Sequence, residues 1–172
     1  DLKPYIQRWR EIEPFIAEHL SGAGGHLEID GSAASSCDFL PPIALPNKLI
    51  CIGANYHDHI AEMRVPMKPT EPYAFIKPAS NTLRGSGSIV TLPKCGSMYD
   101  WEAELAVVIG QKASQIDEDQ ALDYVFGYAN FNDLSARDWV ATSPPIGVDW
   151  VKHKAFDGFG PFGPYLVPAS FI

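Results

Sequence analysis

The sequence predicts an α+β fold rich in short strands, on three observations. Helical spacing of apolar residues is confined to residues 4–20, the chain from Lys48 onward breaks into short β-prone runs, and 14 glycines and 15 prolines punctuate those runs. At 172 residues there is room for one domain, or for a domain with a small appendage, around a real core.

In residues 4–20, Ile6, Trp9, Ile12, Phe15, Ile16 and Leu20 recur at mostly three- and four-residue spacings, which predicts one amphipathic helix. The run Ser21-Gly22-Ala23-Gly24-Gly25 stops it, residues 30–36 read as a linker, and the proline-rich stretch to Pro46 opens a second segment. We therefore place a boundary at residue 46, with 1–46 as a small N-terminal appendage and 47–172 as the main domain. Strands are expected over 49–52, 73–77, 89–92, 102–109 and 127–132, with short helices over 57–63 and 120–126.

The longest of these strands contains the main anomaly. Trp101-Glu102-Ala103-Glu104-Leu105-Ala106-Val107-Val108-Ile109 puts Glu102 and Glu104 on the same face of the strand, roughly 6–7 Å apart. Beyond them both faces turn apolar, so the strand is expected to be buried on both sides. Unpaired carboxylates entering such a strand are costly; protonation, basic partners or a bound cation are the remedies. A hard divalent metal is one reading, and a wet strand end or pairing with Lys and Arg is the other.

Three further polar groups accompany the pair. In Gly53-Ala54-Asn55-Tyr56-His57-Asp58-His59-Ile60-Ala61-Glu62, a helical turn would make His59 and Glu62 i,i+3 neighbours, an arrangement suited to a general base acting on water. A surface histidine beside an incidental glutamate is the alternative. His57 and His59 offer two imidazoles for zinc, without a third ligand at convincing spacing. Asp133, in Asn132-Asp133-Leu134-Ser135-Ala136-Arg137-Asp138, falls where a strand ends; it either converges on the two glutamates or caps a following helix. Three carboxylates with no nitrogen or sulfur ligand would favour Mg²⁺, Mn²⁺ or Ca²⁺. Lys152-His153-Lys154-Ala155-Phe156-Asp157-Gly158 is either a solvated basic turn or places a lysine where enolate charge develops.

Taken in order, these groups resemble the fumarylacetoacetate hydrolase family. Gly53-x-Asn55-Tyr56-x-x-His59-x-x-Glu62 is similar to its opening motif, Tyr73-x-Phe75-x-Lys77-Pro78 to its next strand, and Glu102-Ala103-Glu104-Leu105-Ala106-x-Val108-Ile109-Gly110 to its metal-binding strand. Asn132-Asp133-x-Ser135-Ala136-Arg137-Asp138 and Lys154-Ala155-Phe156-Asp157 complete the set. The resemblance implies a mixed β-roll or β-sandwich, usually dimeric, that binds Mg²⁺ (or Mn²⁺ or Ca²⁺). It implies Glu102, Glu104 and Asp133 as metal ligands, and His59, Glu62 and Lys154 as catalytic residues. Asn55, Tyr56, Lys77 and Arg137 become substrate-binding residues, and residues 56–68 a segment that orders over the site when ligand binds. The implied reaction is hydrolysis of a carbon–carbon bond in an acylpyruvate or other 1,3-dicarbonyl 2-oxo acid through a stabilised enolate; decarboxylation, isomerisation or hydration of related acids is the alternative, and a non-catalytic binding protein of the same fold is a third. Residues 1–46 transfer no function. The family's core continues past the Lys154 motif, so the chain to Ile172 is expected to be an incomplete domain.

Composition excludes several classes. A net charge of −8 and no basic stripe argue against a nucleic-acid partner. With 46% hydrophobic and 20% charged residues and no apolar run of spanning length, no membrane partner and a cytoplasmic location are expected. Three widely spaced cysteines, Cys37, Cys51 and Cys95, fit reduced thiols, with Cys51 in the core.

Overall fold

The computed structural model describes residues 1–22, 31, 33–62 and 71–172. The chain begins with helices α1 (Lys3–Gln7) and α2 (Trp9–Leu20), then β1 (Ile50–Gly53), α3 (His57–Glu62), β2 (Tyr73–Ile76), α4 (Ala79–Thr82), β3 (Leu83–Arg84) and β4 (Tyr99–Asp100). It continues through β5 (Ala103–Ile109), β6 (Val125–Asn132), β7 (Ser135–Ala136), α5 (Asp138–Ala141), α6 (Trp150–Lys154), β8 (Gly160–Pro161) and β9 (Val167–Pro168). Among the described residues no helix is long and apolar enough to cross a membrane.

The expected N-terminal helix is broken at Arg8, whose backbone (φ −110°, ψ 18°) leaves the helical region. On one side of the break Ile6 joins Ile43, Leu83, Ala129, Phe131 and Phe162 in the buried core. On the other, Trp9 meets Phe126 and Phe171 edge-on, with ring centroids 5.1 and 5.9 Å away. Pro14 inside α2 removes one donor from the helical ladder.

The strands form four small sheets. β1 and β2 are antiparallel, β3 and β8 parallel, β4 and β7 antiparallel, and β5, β6 and β9 make a three-stranded antiparallel sheet in that order. The β5–β6 ladder runs from Ala103 opposite Asn132 to Ile109 opposite Val125, with a bulge at Val108/Ile109. β9 reaches β6 because Gly127 has no side chain: a Cβ there would lie 2.1 Å from the Val167 carbonyl oxygen. Gly53 likewise admits the Tyr73 ring, which would stand 2.3 Å from a Cβ.

Several sequence expectations change. Residues 89–92 form no strand, since their apolar side chains find no sheet to cover: Ile89 is 92% exposed. The helix expected at 120–126 is a 3₁₀ turn at Glu118–Tyr124, and β6 starts two residues earlier than expected, at Val125. β5 is not buried on both sides. Its inner face, Glu104, Ala106 and Val108, is half-buried, while Leu105, Val107 and Ile109 are about half exposed because no described element lies over them. Residues 23–25 of the helix stop, Asp30 and Ser32 of the linker, Met63 of the second expected helix, and 63–68 of the covering segment lie outside the described residues.

Candidate active site

The two long strands end where the polar residues gather. Past the last ladder pair, the Asp133 N–H donates to the Glu102 carbonyl at 3.0 Å, so the two residues sit side by side at the open end of the sheet. Glu104, two positions along on the same face as Glu102, lies opposite Phe131. The strand alternation that made the pair anomalous thus places both glutamates at the polar end of the core. Asp133 does not cap a helix. β7 follows it, and α5 begins after Arg137 without a side-chain cap.

Two lysines reach the carboxylates from other elements. Lys77 follows β2, where period-two alternation turns Phe75 and Lys77 inward. Lys154 ends α6, a short helix whose Asp149 side chain accepts from the Lys152 N–H at 3.2 Å. The Lys77 ammonium is fully enclosed and donates to Asp133 Oδ1 and to the Leu134 carbonyl. Lys154 Nζ lies 2.8 Å from Asp133 Oδ2 and 2.8 Å from Glu102 Oε2. Arg137 closes the other side, 2.7 Å from Glu102 Oε1 and 3.0 Å from Asp100 Oδ2, and the Ser135 hydroxyl donates to Glu102 Oε1 at 3.2 Å. The result is an alternating chain, Lys77–Asp133–Lys154–Glu102–Arg137–Asp100, buried at its Lys77–Asp133–Lys154 end and opening to water at Arg137 and Asp100. Each charge has an opposite partner, which offsets the several kcal/mol that burying each one alone would cost.

Glu104 is the exception. Among the described residues its carboxyl has no hydrogen bond or ion pair. Burial pushes its pKa up, as do the neighbouring charges of Glu102 and Asp133, while Lys154 and His59 pull it down. His59 lies on α3, and among the described residues no hydrogen bond or ion pair joins it to the three carboxylates. His59 and Glu62 share that helix, but no hydrogen bond or ion pair joins them among the described residues. Asn55 and Tyr56 stand exposed in the turn before α3, which Ala54 enters with φ 47°. Lys77 lies behind Asp133, away from solvent, where it orients that carboxylate. Burial lowers its pKa, and the Asp133 charge opposes the change.

The basic turn is solvated only at its start: Lys152 is exposed, but His153 is 2% exposed and Lys154 3%. Sequence reasoning passed over His153. Its ring stacks on Trp150 at 5.6 Å, Trp150 stacks on Phe75 at 4.3 Å, and Lys154 Nζ lies 5.6 Å above the Phe75 ring. These rings wall the charged cluster on one side. Among the described residues neither imidazole nitrogen has a partner, and burial, then Lys154 and Arg137, push its pKa down to about 4. Cys51, half-buried opposite Phe75, has its thiol pushed up to about 12 by burial and then by Asp133, so it is an inert thiol.

The donors fit a hard cation in type: Glu102 and Asp133 meet at the Lys154 ammonium, and Glu104, unpartnered among the described residues, stands two positions from Glu102 on the same strand face, so all three offer oxygen only. In the arrangement described, Lys154 stands between two of them, and among the described residues no three carboxylate, imidazole or thiol groups enclose an ion.

The family model for the C-terminal region of fumarylacetoacetate (FAA) hydrolase matches residues 48–172, and the chain belongs to this family. Its fold is that of the family's C-terminal domain. The chain is similar to the mitochondrial oxaloacetate tautomerase fahd2 of Xenopus laevis, with 45% identity over 138 residues, covering 80% of this chain and 42% of the relative. It is also similar to the human mitochondrial oxaloacetate tautomerase FAHD2B, 44% identical over 133 residues, covering 77% of this chain and 41% of that protein. Among solved structures, 2-hydroxyhepta-2,4-diene-1,7-dioate isomerase from Mycobacterium marinum superposes with a TM-score of 0.62 at 33% identity, over 76% of this chain and 45% of that one. The 5-carboxymethyl-2-hydroxymuconate delta-isomerase of Mycobacterium smegmatis gives 0.64 at 32%, over 77% and 50%. The chain spans about half the length of the relatives it matches.

Proposed function

We propose that the chain carries the enolate-forming site of a divalent-metal-dependent enzyme acting on small 2-oxo acids, and that its reaction is keto–enol tautomerisation or double-bond isomerisation. The observation that carries this reading is the meeting of Glu102, Asp133 and Lys154 at one end of the β5–β6 ladder, with Glu104 two residues along the same strand face. The relatives named as oxaloacetate tautomerases and dienoate isomerases use substrates of that chemistry.

Glu102, Glu104 and Asp133 would hold Mg²⁺, Mn²⁺ or Ca²⁺, which supplies chelation of a 2-oxo carboxylate and polarisation of its keto group. The chain's own residues do the rest. Arg137 and Lys154 present positive charge to the substrate's anionic oxygens. His59, on the Glu104 side, takes the proton from the carbon next to the keto group; the electron pair left behind forms the carbon–carbon double bond. Returning that proton to the oxygen gives the enol, and returning it to a different carbon of a conjugated acid gives the isomer. Lys77 fixes the direction of Asp133, and the Phe75–Trp150–His153 wall keeps water away from the charged cluster.

Carbon–carbon bond hydrolysis is the second reading. It needs a water-activating base, and the unlinked His59 and Glu62 favour it less than tautomerisation. Incubating the protein with Mg²⁺ and either enol-oxaloacetate or an acylpyruvate separates the two. Faster decay of the enol absorbance, lost in His59→Ala, supports the proposal; pyruvate release from the acylpyruvate without enol decay would favour hydrolysis, and neither reaction would sink both.

A further inference from the structure

We infer that Lys154 is an internal competitor of the divalent cation: its ammonium holds Glu102 and Asp133 together until a cation takes them over, and the displaced lysine then meets the anionic substrate. This inference rests on the metal-site reading proposed above.

Asp133 spends Oδ1 on Lys77 and Oδ2 on Lys154. Glu102 spends Oε1 on Arg137 and Ser135, and Oε2 on Lys154. Glu104 alone is free among the described residues. A cation bound through Glu104 can reach Glu102 or Asp133 only at an oxygen already held by an ammonium or guanidinium, whose like charge opposes it until that basic partner withdraws. Withdrawal of Lys77 frees only Asp133 Oδ1, and withdrawal of Arg137 frees only an oxygen that Ser135 still uses. Withdrawal of Lys154 frees Glu102 Oε2 and Asp133 Oδ2 together, while Lys77 and Arg137 go on holding the other oxygen of each.

Charge points the same way. Four carboxylates, Asp100, Glu102, Glu104 and Asp133, face three cations, Lys77, Arg137 and Lys154, which leaves one negative charge in excess. A divalent ion turns that into one positive charge in excess. An ammonium beside it would be repelled strongly, since screening at this depth is poor. The Lys154 ammonium already lies 5.6 Å from the centre of the Phe75 ring while it holds the two carboxylates, so a small swing of its flexible four-carbon stem can release them and keep that contact. From there it can pair with a substrate carboxylate. Cation and anion then bind cooperatively, each weakening the contact that opposes the other.

Mn²⁺ binding, followed by the paramagnetic resonance signal of the free ion, tests this. It is measured with and without oxalate, a planar dianion with carboxylate oxygens placed like those of an enolised 2-oxo acid, and corrected for the Mn²⁺–oxalate complex. The expected result is that Lys154→Met and Lys154→Gln each bind Mn²⁺ alone at least 10-fold tighter than the natural chain. Their tightening by oxalate should be at least several-fold smaller than that of the natural chain. Equal or weaker Mn²⁺ binding by whichever variant folds overturns the inference while leaving the metal site standing. Should neither variant fold, the ¹⁵N resonance of the Lys154 ammonium in the natural chain decides, followed as diamagnetic Mg²⁺ is added: a shift of that resonance on Mg²⁺ binding upholds the inference, and an unchanged resonance overturns it. Absence of Mn²⁺ binding by the natural chain under both conditions defeats the metal-site reading itself, and the inference with it.

Discussion

Replacing His153 with leucine should make the fold less sensitive to acid. The imidazole is buried against Trp150 with both nitrogens unpartnered among the described residues, and its pKa falls from 6.5 to about 4. In the unfolded chain the ring takes a proton as pH drops below 6.5; in the fold it resists until about 4. The unfolded state therefore binds more protons in that window, and stability rises with pH across it. This contribution is complete above pH 6.5 and is lost as pH falls toward 4. With about 1.4 kcal/mol per pH unit, the loss is about 3 kcal/mol, a large share of a stability of about 5–15 kcal/mol. Leucine has no proton to bind and fills similar space, so at pH 7 it should cost little or stabilise slightly. Urea unfolding of both proteins at pH 7 and pH 4.5 isolates the effect, because the carboxylates contribute to both alike. The natural chain should lose about 2–3 kcal/mol more than His153→Leu. Equal losses would refute the buried, neutral imidazole.

Other substitutions test separate parts of the account. Lys77→Met leaves Asp133 Oδ1 buried without its partner and should destabilise by about 3 kcal/mol or more in urea unfolding, with no loss expected from an exposed lysine. Gly127→Ala drives a Cβ into the Val167 carbonyl and should cost about 1–3 kcal/mol while loosening β9, seen as faster amide exchange at residues 167–168. Asp138→Asn removes a charge that accepts from the Ser97 and Met98 N–H groups at 3.0 and 2.8 Å; those amides should lose exchange protection, whereas distant strands should not.

The parts of this molecule that could be read in the sequence are those with long or chemically distinctive signals. Glu102 and Glu104 share a face because strand side chains alternate, and the run of apolar residues after them is long enough to establish the strand. Asp133 and Lys154 were legible through their motifs, and the structure gathers both beside Glu102. Two-residue strands such as β3, β4, β7 and β8 carry no periodicity at all; their partners, up to 77 residues away, decide them. Residues 89–92 show the converse, a β-prone run with no neighbouring edge. The outer face of β5 misled for a related reason, since apolar side chains indicate what can be covered, not what covers it. His153 was invisible because a histidine between two lysines looks solvated until α6 turns it toward Trp150. Lys77 was expected to touch substrate, and its enclosure behind Asp133 depends on β2 packing that no local pattern encodes.

The central claim is that Glu102, Glu104 and Asp133 form one cation site. The most direct measurement is a crystal of the protein grown with Mn²⁺ and oxalate, with anomalous scattering recorded from the ion. One Mn²⁺ peak is expected in contact with all three carboxylates, absent from Glu104→Gln crystals grown in the same way. A peak elsewhere on the chain, or a peak at the three carboxylates that persists unchanged in Glu104→Gln, would contradict it.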